Sequence, residues 1–161
     1  MLRALLVTIA VLATATVRAE FTARPLTAVS MSTALADAQK VADARPGASV
    51  MRIEGRSMLP FFGEGSVVVV KKIDSAKLRA GMVVVYTNRF GETVAHRLVA
   101  TVEGGWIAQG YNNSTPDSTV VSGANLLGVV YATFHSSGVL ESVDLAAMAS
   151  SIPAALAAPA R

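Results

Sequence analysis

A mainly β fold is what this sequence predicts, and three observations predict it. The apolar runs Val67 to Val70 and Met82 to Tyr86 are of strand length and rich in β-branched side chains, as in strands buried on both faces. Thr93 to Val102 alternates, with Val94, His96, Leu98 and Ala100 on one side and Ala95, Arg97 and Val99 on the other. Turns containing Gly and Asn divide these runs at the short intervals of an all-β domain.

The elements follow in chain order. Met1-Leu2-Arg3, the apolar stretch from Ala4 to Val17 and small residues at Ala13-Thr14-Ala15 or Val17-Arg18-Ala19 read as a signal peptide or anchor over residues 1–19. Its apolar run falls short of the roughly 20 residues a spanning helix prefers, which favours cleavage over a retained anchor. The expected location is therefore outside the cytoplasm, in the periplasm or on the outer face of the cytoplasmic membrane. Residues 20–47 form a helical spacer or a packed N-terminal helix, with Thr33 to Ala44 helical and Arg45-Pro46-Gly47 ending it.

The Pro46-Gly47 break opens a β domain over residues 48–138. Val50 to Glu54 begins it, with Met51 and Ile53 on one face. Asp74 to Gly81 makes a polar turn, Thr87 to Glu92 a hairpin connection, and Glu103-Gly104-Gly105 a reversal before the short strand Trp106 to Gln109. Tyr111 to Thr119 is a polar loop, and Leu126 to Phe134 a last buried strand. Residues 139–161 read as an Ala-rich C-terminal helix or tail, docked on the domain or frayed, with Pro153 ending or kinking it.

Composition removes several functions. The 161 residues suit one domain, and with no Cys there are no disulfides, thiolate nucleophiles or Cys-ligated metals. The net charge of +3 is scattered, Lys71, Lys72, Lys77 and Arg79 being the only local basic cluster, and no nucleic-acid motif accompanies it. Neither a metal-ligand cluster nor a phosphate-binding Gly-rich loop is present, so no cofactor is expected.

The chemistry lies in three stations. Ser57 stands in Gly55-Arg56-Ser57-Met58-Leu59-Pro60, where Gly55 allows close backbone approach and Pro60 fixes the direction of the chain, so that a hydroxyl sits on a rigid corner. His96 follows 39 residues later in Val94-Ala95-His96-Arg97-Leu98-Val99. A neutral imidazole is suited to take a serine proton near neutral pH, although a lone His on an apolar face is more often a core residue. Asp117 closes Gly110-Tyr111-Asn112-Asn113-Ser114-Thr115-Pro116-Asp117, where a solvated turn residue is the alternative reading. His135 matches no motif and reads as a surface residue. Lys71 and Lys72 read as solvated lysines at a strand end. Phe61 and Phe62, after Pro60, are either core residues beneath the corner or an exposed apolar rim.

In order and in flanking residues, these stations resemble the signal peptidase I and LexA-like serine peptidase superfamily, most closely the branch in which His replaces the Lys base. The resemblance covers roughly Ser49 to Phe134. It implies the signal-peptidase-like β-fold and a catalytic triad: Ser57 as nucleophile, His96 as general base and Asp117 as the carboxylate that orients it. It also implies that the Ser57 backbone N–H serves the oxyanion, and that Gly55, Met58, Pro60 and Phe61 bind substrate. The chain departs from the pattern at Ser66 and Tyr111, where relatives usually carry Asp, and at Gly55, where many carry Ser or Thr.

The implied activity is that of a serine endopeptidase cleaving after small residues in exported or membrane-associated proteins. Its partners would be a peptide or protein substrate, a membrane surface and, given so small a core, another protein. Two other classes compete: a non-catalytic binding module on the same fold, and a self-cleaving regulatory domain.

Overall fold

The computed structural model describes residues 23–138. The expected signal or anchor segment and the Ala-rich C-terminal helix or tail lie outside them. Six strands form one antiparallel sheet: β1 (Ala48–Arg52), β2 (Ser66–Lys71), β3 (Val83–Thr87), β4 (Thr93–Val102), β5 (Gly105–Gln109) and β6 (Leu126–His135). Among the described residues a single α-helix, α1 (Met31–Asp43), precedes them, and a turn of 3₁₀ helix at Ser75–Lys77 lies between β2 and β3.

The spatial order is β1-β2-β6-β3-β4-β5, so the last strand enters between β2 and β3. This explains the two continuous Val runs. With β6 between them, β2 and β3 are both interior strands, and Val67 to Val70, Val84 and Val85 are buried. The β2 side chains divide by the pleat. Val67 and Val69 pack against Met31, Ala34, Ala38 and Ala42 of α1, while Val68 and Val70 turn to the other face with Met51, Ile53, Val85 and Ala95.

The helix starts at Ser30, whose side chain accepts from the Thr33 N–H, an N-cap that satisfies one of the free amides of the first turn. Its apolar stripe falls at spacings of three and four residues and consists largely of Ala, which lets the helix lie close to the sheet. Of the two readings of this segment, spacer or packed helix, the second describes α1.

Three local expectations change. Ala100 is exposed rather than sharing the buried face of Leu98, because β4 shifts register against β5 between Leu98 and Ala100, and a bulge breaks the alternation there. The last strand is central in the sheet, yet its side chains are not uniformly buried: Leu127 and Tyr131 are exposed. It shifts register against both neighbours, near Val69/Val70 of β2 and Val85/Tyr86 of β3. His135, expected at the surface, is half-buried, with Nδ1 3.3 Å from the Ser66 Oγ. Among the described residues no helix is long and apolar enough to cross a membrane.

Candidate active site

Ser57 sits in the connection between β1 and β2. Gly55 opens this corner with φ +91°, a left-handed conformation that glycine adopts without penalty. A Cβ there would meet nothing within 4 Å, so the requirement is one of backbone conformation and not of close approach. The Leu59-Pro60 bond is cis. Met58 O accepts from the N–H groups of Phe61 and Phe62, closing a turn that buries Phe62 and leaves Phe61 54% exposed. The two phenylalanines thus divide between the roles open to them: Phe62 is core and Phe61 is rim, its ring 4.2 Å from that of Tyr111.

His96 comes from the first half of β4, opposite Val84 of β3. Asp117 comes from the loop after β5, where its N–H donates to Ala108 O at 2.8 Å and fixes the loop against the strand. The three expected stations meet. His96 Nε2 lies 2.8 Å from Ser57 Oγ, and His96 Nδ1 lies 2.6 Å from Asp117 Oδ2. His96 is only 6% exposed, so the pair with Asp117 is shielded from competing water.

The direction of the bonds follows from chemistry. An ionised carboxylate only accepts, so Nδ1 carries the hydrogen, and the neutral ring then presents a bare Nε2 to accept the Ser57 O–H. This is the tautomer a general base requires.

Two participants were not legible beforehand. The Tyr86 hydroxyl donates to the same Asp117 Oδ2 at 2.6 Å. Burial first, then the hydrogen bond to Asp117 and its charge, hold that phenol well above the usual tyrosine range, so it remains a donor at any working pH. Gly110 is the other. A Cβ on it would come within 2.5 Å of Ser57 O and 3.0 Å of both His96 Nε2 and Ser57 Cβ. The Gly110-Tyr111-Asn112-Asn113 motif pointed to this loop, but not to the contact.

The loop also grips the corner. The Asn112 N–H donates to Ser57 O at 2.8 Å, and its Nδ2 donates to Arg56 O at 3.2 Å. Tyr111 meets the Phe61 ring at a tilt of 45° and the Arg97 guanidinium, which lies 4.3 Å from its ring centroid.

Beside Ser57 opens a cleft of about 420 Å³. Met51, Ile53, Met58, Phe62, Val68 and Val85 make it largely apolar, and His96 stands at its edge. Of the residues expected to bind substrate, Gly55 and Met58 line it, whereas Pro60 and Phe61 do not, because the turn carries Phe62 inward in their place. Among the described residues no group of three or more His, Cys, Asp or Glu side chains is placed to hold a metal ion.

Comparison with known proteins gives one finding. A family model described as Peptidase S24-like matches residues 13–131, most of the chain. No curated protein matches it.

Proposed function

Because the chain belongs to the Peptidase S24-like family, we propose that it is a serine endopeptidase working through Ser57, His96 and Asp117. The observation that carries this reading is the continuous hydrogen-bonded line from Ser57 Oγ through the His96 ring to Asp117 Oδ2. Ser57 attacks the peptide carbonyl as His96 takes its proton, and His96 returns that proton to the leaving amine. Asp117 holds the ring and stabilises its charged form. The Ser57 N–H, which has no backbone acceptor among the described residues, serves the oxyanion.

Edges of the sheet bound the cleft. Leu98 exchanges bonds with the Gly81–Met82 segment next to β3, so the alternation of an antiparallel strand turns the backbone of Ala95 and Thr93 the other way. β5 pairs only from Arg97 onward, so among the described residues no strand covers that edge, which suits an extended peptide. An apolar cleft accepts uncharged side chains, and small residues before the scissile bond are the substrate class the family resemblance favours. Exposed Phe61 and Tyr111 beside Ser57 suit contact with a membrane surface and support the reading that substrates are exported or membrane-associated proteins.

The test is mass spectrometry of a precursor containing Ala-x-Ala, incubated with the wild-type chain and with Ser57→Ala. Site-specific cleavage by the first alone supports the reading. Equal cleavage by both, or none by either, leaves a binding module on the same fold. Intact-mass measurement of the chain alone separates cleavage in trans from self-cleavage.

A further inference from the structure

We propose that Tyr86 is a positioning residue for the proposed catalytic unit, locking Asp117 in the rotamer that selects the reactive tautomer of His96. The inference rests on the peptidase reading for its kinetic consequence, but not for its structural one. Tyr86 and His96 are the two hydrogen-bond partners of the Asp117 carboxylate among the described residues, and both meet Oδ2 at 2.6 Å. Asp117 stands on a loop, held by its backbone at Ala108. A carboxylate on a loop with one partner is free to turn about its side-chain bonds, whereas two donors arriving from β3 and β4 fix the oxygen in place.

The two donors are themselves rigid. Tyr86 is 1% exposed and packs with Val84, Leu98, Ala108 and Val121, and on β3 it pairs with Val94, two residues from His96. Its hydroxyl has no acceptor other than Asp117 among the described residues. A buried phenol would otherwise lose its hydrogen bond, so the ring and the carboxylate hold one another. Phenylalanine would keep the packing and remove only the donor.

Once the second donor is lost, Asp117 samples rotamers that do not face Nδ1. The His96 ring then populates the form with its hydrogen on Nε2, which cannot accept the Ser57 proton. Because the bond lost is one to a charged group, the expected loss in turnover is roughly 10- to 100-fold.

Two measurements on the full chain test this. The first is ¹⁵N imidazole NMR of wild type and Tyr86→Phe, tractable because the sequence holds 2 histidines. Wild-type His96 is expected with its hydrogen on Nδ1, and the variant with a raised fraction on Nε2. The second is peptide cleavage, where kcat should fall while KM stays within roughly twofold, since Tyr86 does not line the cleft. An unchanged tautomer overturns the proposal, as does an unchanged kcat in a chain whose wild type is active. A wild type that cleaves nothing, with the tautomer shift present, overturns the peptidase reading and leaves the positioning role standing.

Discussion

Asn112 grips both carbonyls that flank the Ser57 amide, donating from its backbone to Ser57 O at 2.8 Å and from its side chain to Arg56 O at 3.2 Å. In a trans peptide the carbonyl and the following N–H point in opposite directions. Holding Arg56 O toward the 110–113 loop therefore aims the Ser57 N–H away from that loop. Asn112→Ala removes the side-chain bond and keeps the backbone one. The expected result is a fall in kcat of about 10-fold, milder than the ~100-fold loss of an oxyanion donor itself, with KM little changed. Steady-state kinetics on one peptide checks it.

Gly110 is more tightly enclosed than Gly55, the other glycine beside Ser57. A methyl group there meets Ser57 O at 2.5 Å, and a backbone carbonyl cannot move aside as a flexible side chain would. Gly110→Ala should lower stability by about 1–3 kcal/mol, the usual cost of overpacking. Because the displaced groups are the proposed nucleophile and its base, activity should fall by roughly 100-fold or more even in the folded fraction. Thermal unfolding together with cleavage rates normalised to folded protein separates the two effects.

The hydrogen-bonded line from Ser57 to Asp117 predicts coupled losses. Ser57→Ala and His96→Ala should each abolish cleavage, and the double variant should be little worse than either, since members of a catalytic unit do not contribute additively. Asp117→Asn should cost about 10⁴ in turnover with the melting temperature nearly unchanged, because an amide can hold the ring but favours the wrong tautomer. An active Asn variant would make Asp117 a turn residue and reduce the proposed unit to Ser57 and His96.

What the sequence revealed of this site, and what it concealed, follows from the range of each interaction. Ser57, His96 and Asp117, which the fold brings into one hydrogen-bonded line, could be named because each sits in a local motif. The strand runs could be read because burial imposes a period of two, or a continuous apolar run where both faces are covered. Tyr86 was hidden within such a run: nothing local marks a Tyr whose hydroxyl meets a carboxylate 31 residues downstream. Gly110 was visible as part of a loop, but its contact with Ser57 arises only when strands distant in sequence converge. Phe61 and Phe62 could not be told apart, because the turn that buries one and exposes the other is set by bonds to Met58 O. The bulge that exposes Ala100 and the insertion of β6 between β2 and β3 are likewise pairing choices without a local signature.

The two histidines should report differently on acidification. A protonated imidazole at His96 would offer no acceptor for the Ser57 proton, so the proposed base acts in its neutral form. His135 acts on stability instead. Burial first, and the positive charge of Arg24 second, hold its imidazole below the ordinary value of 6.5, so it favours the neutral form in the folded chain. The unfolded chain then binds more protons than the folded one in the interval between the two values. The stabilisation from neutral His135 is present above about pH 6.5 and is lost as pH falls through the lower folded value. His135→Gln removes this contribution, so its melting temperature should fall less than that of wild type between about pH 7 and pH 5, while cleavage, which the proposal assigns to His96, is retained. Calorimetry and kinetics on the same samples decide the matter: equal thermal slopes for wild type and variant would remove His135 from the pH response, and loss of cleavage in the folded variant would assign the base role to His135 in place of His96.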